Sequence, residues 1–362
     1  MASPNNLPFW SADGTTDFSF ANAAKLFDMH ASVSFRSESV LAFNNMLMLD
    51  RRSVSNAASF QWYMFGQMPE STDEYRPGDE VLGQDYSLKT GTVNIDPPVL
   101  GSFAIGETEQ VVAHFNLIPY AAKETGRQAA LNLDRRILNQ HVQAAQTAAV
   151  TDTNTGLTIH NGGIRVTRVG GSTTVSTAMT AAYPLSAAGA ANLRADLRAL
   201  NLLADQNYWD PDYRYILLDI YLRAVLQYDA NAVQWASRDY VDGQNNLVTR
   251  KIEIIEGWKV LKWVNRVGNK GIIPDTNVTN FTKATKFNAN FTPGAGKGYP
   301  CVCAFGASKP DDASVGFGTW QGMKNMMMWQ EWKHIWLHQT YIYCGIEKMH
   351  PWSAGTIEVT NT

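Results

Sequence analysis

The pattern of apolar and polar positions predicts an arm, a hairpin and one very long helix in the first 150 residues. Residues 1–59 are polar and interrupted by prolines, with one predicted helix over about 37–50. Apolar and polar positions alternate over 60–64 and again over 88–95, which predicts two strands joined by a long connection. The strongest helix signal covers about 119–149. A helix of roughly 45 Å should serve as a structural backbone on which other elements lie.

Strands and helices mix through the rest of the chain, so the predicted fold class is α+β. Strands are predicted at 164–169, 213–218, 251–254, 258–264 and 301–305. Ser186 is a good N-cap for a helix that continues to Leu203, and a short helix is predicted over 221–227. Residues 326–343 are dense in Trp, Met, Ile and Tyr; helical spacing fits, but the composition favours one long strand.

Composition and charge exclude one class of function. The 362 residues contain 30 Lys and Arg against 33 Asp and Glu, so the formal net charge is −3. A strongly basic nucleic-acid-binding protein would need clustered cations. Charged residues make up only 17% of the chain and aromatic residues 11%. This bias fits either a large aromatic core or a surface that partners cover, because interface cores are poor in charge and rich in aromatic residues.

The chain is expected to be made in a reducing cytoplasm. It has three cysteines, which argues against a disulfide framework. The first ten residues have neither the basic nor the apolar part of a secretory signal. The longest uncharged run, 169–193, contains several glycines and a proline, so we expect no membrane span.

The connection between the two hairpin strands, residues 66–86, is the most charge-biased segment. Its charged residues are Glu70, Asp73, Glu74, Asp79, Glu80 and Asp85, against a single Arg76. Two interpretations stay open, because a connection of this length is usually either a solvated loop or a functional element. If it is functional, the candidates for docking on another subunit are Glu70, Asp73, Glu74, Arg76, Asp79 and Glu80.

No set of residues for catalysis or metal binding can be assembled from the sequence. Cys301 and Cys303 lack the two-residue gap of structural zinc sites, which leaves Cys344 and His350 without a motif. His334 and His338 are four residues apart, but no glutamate follows the first of them, and both are expected to be packed, hydrogen-bonded histidines. We therefore predict no enzyme, no metal and no cofactor, with a metal-dependent hydrolase as the enzymatic alternative.

The order of these elements resembles that of the major capsid proteins of tailed bacteriophages, the HK97-like family, and local sequence is most similar to the short-tailed podovirus type. In the hairpin, the resemblance rests on Tyr75-Arg-Pro-Gly-Asp-Glu80 and Thr92-Val-Asn-Ile-Asp96. Around the long helix, it rests on Gly106-Glu-Thr-Glu109 and Phe115-Asn-Leu-Ile-Pro-Tyr120 before it and on Ala130-Leu-Asn-Leu-Asp134-Arg-Arg-Ile137 within it. Beyond the helix, it rests on Ile255-Glu-Gly257-Trp-Lys-Val260 and Tyr343-Cys-Gly345-Ile-Glu-Lys-Met-His-Pro351. Together they extend from about residue 25 to 352.

The resemblance implies a domain organisation. An N-terminal arm would cover 1–59 and an extended loop 60–99. A peripheral domain would combine 100–185 with 311–362 and contain the long helix as its spine helix, and an axial domain would cover 186–310. Some relatives crosslink a loop lysine to a neighbour, but residues 66–86 contain no lysine, so crosslinking is not expected.

The resemblance also implies partners. Pentamers and hexamers of the chain would form an icosahedral head, usually of T=7 geometry, around double-stranded DNA that the inner wall contacts weakly and without sequence specificity. Assembly would take place in the host bacterial cytoplasm with a separate scaffolding protein, a portal protein at one vertex and possible decoration proteins, and the chain would end in the virion. An encapsulin-type nanocompartment shell is the alternative with the same fold, and a β-rich fibre or tail protein is disfavoured by the long helix.

One docking hypothesis follows for the acidic connection. The spine helix has a net positive charge, and its candidate contact residues are Lys123, Arg127, Arg135 and Arg136. The acidic connection of one subunit is expected to dock on this helix or nearby basic surface of another. Contacts of this kind influence register and association rate more than affinity, and salt screens them.

Overall fold

The computed structural model describes residues 29–36, 49–54, 57–65, 88–96, 98–106, 117–151, 158–171, 175–229, 254–263, 298–307 and 312–360. The helices are α1 (residues 29–36), α2 (Leu117–Ala145), α3 (Val175–Ala182), α4 (Ala187–Gln206) and α5 (Ile220–Leu226). The strands are β1 (Leu49–Ser53), β2 (Ser59–Phe65), β3 (Leu88–Asn94), β4 (Val99–Gly106), β5 (Val150–Thr151), β6 (Thr158–His160), β7 (Ile164–Val169), β8 (Tyr215–Asp219), β9 (Ile254–Ile255), β10 (Trp258–Trp263), β11 (Tyr299–Phe305), β12 (Val315–Gln330), β13 (Ile335–Lys348) and β14 (Ala354–Thr360).

The predicted spine helix is confirmed as α2, which has 29 residues and is therefore about 44 Å long. It begins two residues before the predicted start and ends four residues before the predicted end. Its apolar stripe, including Leu133 and Ile137, is fully buried against both of the larger sheets. The helix predicted over 37–50 falls mostly outside the described residues, and its last two positions belong to β1.

A four-stranded sheet in the order β1-β12-β13-β4 supports the N-terminal part of α2. Gly101 of β4 makes this close packing possible, because a Cβ atom there would lie 2.1 Å from the carbonyl oxygen of Thr125 in the helix. The single long strand predicted over 326–343 is wrong. The chain turns at Glu331–Lys333, and His334 adopts a left-handed conformation with φ 50°, so the segment is a hairpin of two antiparallel strands.

A six-stranded sheet in the order β7-β14-β11-β8-β10-β9 forms at the other end of α2. Strand β7 has the predicted bounds, and the predicted N-cap of α4 is confirmed, because the Ser186 hydroxyl accepts a bond from the Gly189 N–H. The tight turn between β9 and β10 requires Gly257, whose φ is +85°. Helices α3, α4 and α5 contribute to the core on one face of this sheet.

The sheet pairings bear on the proposed domain limits. Strands β7 and β14 belong to the six-stranded sheet, although the sequence-based division groups them with the peripheral domain. The alternation over 60–64 and 88–95 correctly predicts the antiparallel pair of β2 and β3, from Ser59 opposite Asn94 to Phe65 opposite Leu88. The connection between these strands lies outside the described residues.

Candidate functional site

An aromatic cluster holds the base of the β2–β3 hairpin. The Trp62 side chain is almost fully buried, and its ring meets the edge of the His350 ring at 5.5 Å. Gly91 lies opposite Trp62 on β3, and a Cβ atom there would lie 2.2 Å from the indole. Phe60 packs on Trp320 of β12 at 6.2 Å. The hairpin is thus attached firmly to the body of the molecule at its base.

The return of the hairpin is bound to β13 through the backbone and the side chain of Asp96. The Ile346 N–H donates to Asp96 Oδ2 at 2.9 Å, and the Asp96 N–H donates to the Cys344 carbonyl oxygen at 2.9 Å. Gly345 is required because a Cβ atom there would lie 2.2 Å from the Asn94 carbonyl oxygen. Two of the motifs that carry the family resemblance therefore contact each other, which sequence spacing alone did not indicate.

Six candidates for subunit contact, five acidic residues and Arg76, fall in the connection of this hairpin. Glu70, Asp73, Glu74, Arg76, Asp79 and Glu80 lie outside the described residues. Their part in docking stays a prediction.

The four cationic candidates on the spine helix differ in accessibility. Lys123 is exposed, and Arg127 forms an ion pair with Glu124 one turn earlier in the same helix. Arg135 is half-buried, and burial lowers the pKa of its guanidinium. Arg136 is only 6% exposed. Among these four candidates, the cationic groups that a neighbour could reach most readily in the isolated subunit are therefore those of Lys123 and Arg127.

Arg136 faces the interior of the subunit rather than its surface. Burial lowers the pKa of its guanidinium, while nearby Asp96 and Cys344 act in the opposite direction. Arg136 thus lies near the point where the hairpin returns to β13. No local feature of the chain distinguishes the two adjacent arginines, and the helical rotation of 100° per residue separates their environments.

Helix α1 crosses the spine helix at its single glycine. The Ser34 hydroxyl donates to the Lys123 carbonyl oxygen at 2.7 Å. A Cβ atom at Gly126 would lie 2.4 Å from the Ala31 carbonyl oxygen, so only glycine permits this approach. Gly126 weakens the spine helix locally, but it has a packing role because it allows α1 to lie against this helix.

A buried carboxylate joins the C-terminal end of the spine helix to the six-stranded sheet. Glu358 of β14 is 0% exposed. It accepts bonds from Arg165 Nη2 at 2.7 Å, Gln146 Nε2 at 2.8 Å and the Gly298 N–H at 2.9 Å. The Thr356 hydroxyl completes the set at 3.0 Å. Three segments distant in sequence thus converge with a neighbour on the same strand on one side chain, which makes Glu358 a structural centre of the subunit.

A second carboxylate connects β7 to α4. Asp196 accepts two bonds from the Arg168 guanidinium, at 2.6 and 2.7 Å, and one from the Tyr183 hydroxyl at 2.7 Å. Burial and the adjacent carboxylate together raise the pKa of Tyr183 well above its ordinary value. The group thus joins β7, α4 and the residue that follows α3 through bonds between side chains.

The spine helix also contains a buried histidine. The His141 ring stacks on the Phe305 ring at 3.8 Å, and its Nδ1 atom lies 2.8 Å from the Ser314 hydroxyl. Burial lowers the pKa of His141 to about 3. Burial also lowers the pKa of His338, in β13, to about 4. Both imidazoles are therefore neutral in the native subunit near neutral pH.

We expect the subunit to lose stability as the pH falls from about 6.5 toward 3. Both folded-state pKa values lie below the ordinary value of 6.5, so the unfolded chain binds more protons in this window and acid favours it. The midpoint of urea unfolding, measured against pH, should fall less steeply for His141→Gln than for the natural sequence. His334→Asn, at an exposed left-handed position, serves as the control. Equal slopes for His141→Gln and the natural sequence would contradict the expectation.

The residues considered for a metal site do not come together. A bulge between Pro300 and Val302 places Cys301 and Cys303 in different core clusters. In the part of the chain that the structure describes, no group of three or more His, Cys, Asp or Glu side chains is arranged to hold a metal ion. Over the same residues, no helix is both long and apolar enough to cross a bilayer.

The prediction for the two histidines near the hairpin turn is half correct. His338 is buried in β13, as expected. His334 is exposed in the turn, because the chain reverses there instead of continuing as a strand.

Solved structures share this fold over most of its length. The capsid structure of the cyanophage P-SCSP1u is 18% identical, matches 90% of each chain and has a TM-score of 0.64. The mature capsid of bacteriophage PhiM1 is 12% identical over 86% of each chain, with a TM-score of 0.58. The head structure of the Helicobacter pylori bacteriophage KHP40 is 12% identical, covers 89% of this chain and 90% of its own, and has a TM-score of 0.55.

Sequence comparison gives no further relative: no protein-family model and no curated protein matches the chain. The structural likeness carries the assignment of the fold, since it extends over 90% of this chain and 90% of the capsid chain. The expected fold class is confirmed, and the chain has the HK97-like fold of bacteriophage capsid proteins.

Proposed function

We propose that this chain is the major capsid protein of a tailed double-stranded DNA bacteriophage and assembles as pentamers and hexamers into the icosahedral head. One observation carries the proposal: the chain shares its fold with a phage capsid structure over 90% of both chains. The low content of charged residues supports it, because a shell subunit buries much of its surface against neighbours. The function is structural, with many weak contacts adding up to a stable shell.

The finer features of this function belong to the same proposal. They are the podovirus type, T=7 geometry, a separate scaffolding protein, a portal protein at one vertex, possible decoration proteins, assembly in the host cytoplasm and a final place in the virion. We propose that packaged DNA is contacted weakly, since the net charge of −3 offers no excess of cations for phosphate.

We further propose that the subunit has a peripheral part built on the four-stranded sheet and an axial part built on the six-stranded sheet. The pairing of β7 and β14 with β11 and β8 favours assigning residues 164–182 and 354–360 to the axial part. The spine helix would join the two parts, with Glu358 at the axial end.

The acidic connection is proposed to dock on a neighbouring spine helix. Reversing Asp79 and Glu80 to lysine is expected to slow or misdirect assembly at low salt, because like charges would then meet at Lys123 and Arg127. Light scattering during assembly would follow the rate. The double reversal of Lys123 and Arg127 to glutamate should restore part of the rate in the first variant, and unchanged assembly at low salt would contradict the docking proposal.

Electron microscopy tests the main proposal. The protein would be expressed alone and beside its neighbouring genes, and purified particles would be negatively stained. Closed polyhedral shells in either sample support a capsid, and shells that form only with a partner identify a scaffold. Small monodisperse particles in both samples would refute the proposal and direct attention to metal analysis and hydrolase activity. Shells that enclose an enzyme instead of genomic DNA would identify a nanocompartment.

A further inference from the structure

The tip of the β12–β13 hairpin carries an unusually exposed tryptophan. Trp332, in the turn Glu331–Lys333, is 84% exposed, the highest value among the large apolar side chains of the described residues. Tryptophan is costly to leave in water because it offers a large apolar surface, and it is among the residues most enriched in the energetic centres of protein interfaces. The described residues of the isolated subunit leave this side chain in solvent, so its position needs a further explanation.

The hairpin tip, residues 331–333, is held in a defined conformation. Trp329 and Trp336 are directly opposite each other on the two strands, and their ring centroids are 5.0 Å apart. The His334 N–H donates to the Glu331 carbonyl oxygen at 3.3 Å, which closes the turn. A side chain presented on a preorganised turn loses little conformational freedom on binding. Trp332 is thus built as an anchor rather than as part of a loose loop.

More apolar surface is exposed at the same end of the spine helix. We define an apolar end surface by four exposed side chains: Met29, Val33, Tyr120 and Met328. They belong to α1, to the first turn of α2 and to β12, and the buried cluster that includes Ala31, Ala121 and Trp336 connects these elements. The opposite end of the helix, about 44 Å away, carries the Glu358 network.

The charges of the hairpin tip favour a second copy of the chain as the partner. Glu331 and Lys333 flank Trp332 with opposite signs, and Lys333 Nζ lies 5.4 Å from the centre of the indole. Because these two charges cancel, the tip carries no net charge that would repel another copy of the chain, and a contact with a different patch on that copy is the heterologous kind that builds closed rings. Nucleic acid would instead require a group of cations.

We infer that Trp332 is the anchor of an interface between copies of this chain, and that assembly buries it against the apolar end surface of a neighbouring subunit. The inference rests on the proposed capsid function and adds to it the side chain that makes one of the contacts.

Cysteine reactivity tests the inference. The natural thiols Cys301, Cys303 and Cys344 are buried, and burial raises the pKa of the first two, so they should react slowly in the folded protein. Trp332→Cys then adds one reactive thiol. Its alkylation by iodoacetamide should be at least about tenfold slower in purified shells than in unassembled subunits, since a buried thiol is shielded from the reagent. An equal rate in shells and subunits would overturn the inference while leaving the capsid function intact.

Two controls separate burial from other causes. The alkylation rates are also measured in shells broken by freeze–thaw cycles. Slow alkylation in the broken shells supports the interface. Alkylation at the subunit rate overturns it, since the closed shell alone had then excluded the reagent. Circular dichroism shows whether Trp332→Cys subunits that form no shells are folded. If they are folded, Trp332→Phe is tested: its assembly supports the anchor role, and its failure to assemble overturns the role of the apolar ring. Absence of shells from the natural sequence would refute both proposals together.

Discussion

Replacing Glu358 with alanine is expected to lower the free energy of unfolding of the unassembled subunit by about 3 kcal/mol or more, because it removes the acceptor of a buried network. The guanidinium of Arg165 and the N–H groups of Gly298 and Gln146 would lose their common partner. The Arg165 side chain keeps 25% exposure, so water can compensate for part of its loss but not for the backbone donor.

Urea unfolding followed by circular dichroism measures this effect. Glu358→Gln should destabilise less than alanine, because the amide keeps one acceptor oxygen and the volume of the side chain. Glu124→Ala is the matched control: it removes a carboxylate from the partly exposed ion pair with Arg127, where a change below about 1 kcal/mol is expected. A loss below about 1 kcal/mol for Glu358→Ala would show that the network contributes little.

Replacing Gly126 with valine should destabilise the subunit by about 3 kcal/mol and detach α1 from the spine helix. Glycine is the worst ordinary helix former, so a side chain here gains up to about 1 kcal/mol of helix propensity. The gain is outweighed because the new Cβ atom would lie 2.4 Å from the Ala31 carbonyl oxygen, which is backbone and must move. Overpacking of this kind costs about 1–3 kcal/mol or more, and the branched side chain adds further contacts.

Hydrogen exchange and urea unfolding together would report this change. The amides of residues 29–36 should exchange faster in Gly126→Val than in the natural sequence, and Gly126→Ala should show a smaller effect. Gly322→Val is the matched control, because a Cβ atom at Gly322 would have no other atom within 4 Å and valine suits a strand. Equal protection of residues 29–36 in both valine variants would contradict the packing role of Gly126.

Local signals in the sequence predicted much of this fold. The 29-residue helix has long apolar periodicity, β7 alternates and ends at two glycines, and Ser186 caps α4. Each of these elements is decided by residues close together in the chain. For that reason the resemblance to a capsid protein could be drawn from the order of the elements before any contact between them was known.

The turn at Glu331–Lys333 shows where local signals fail. The spacing of Trp329, Trp332 and Trp336 fits a helix, while the composition of residues 326–343 favours one long strand. The chain does neither, because Trp329 pairs with Trp336 across a turn that leaves Trp332 in solvent. No glycine or proline marks this turn; the left-handed residue is His334. The pairing partner on the adjacent strand decides the outcome, and periodicity carries no information about it.

The candidate contact residues were predicted from charge alone, and the charge of a residue does not indicate whether its side chain is buried. Arg135 and Arg136 are adjacent in sequence, but the second lies in the interior near Asp96. Likewise, nothing local to Glu358 distinguishes a buried carboxylate, since its partners come from residues 146, 165 and 298. Long-range contacts of this kind require the three-dimensional fold.

The position of β14 between β7 and β11 determines when the six-stranded sheet can be completed during translation. The first residues of β7 and β14 are about 190 positions apart, yet these strands are neighbours in the sheet. At about 5–20 residues per second, the ribosome makes β7 roughly 10–40 s before its partner. The Glu358 carboxylate arrives with the same strand. A nascent chain therefore exposes an incomplete six-stranded sheet, with the edges of β7 and β11 unpaired on the β14 side, until β14 emerges.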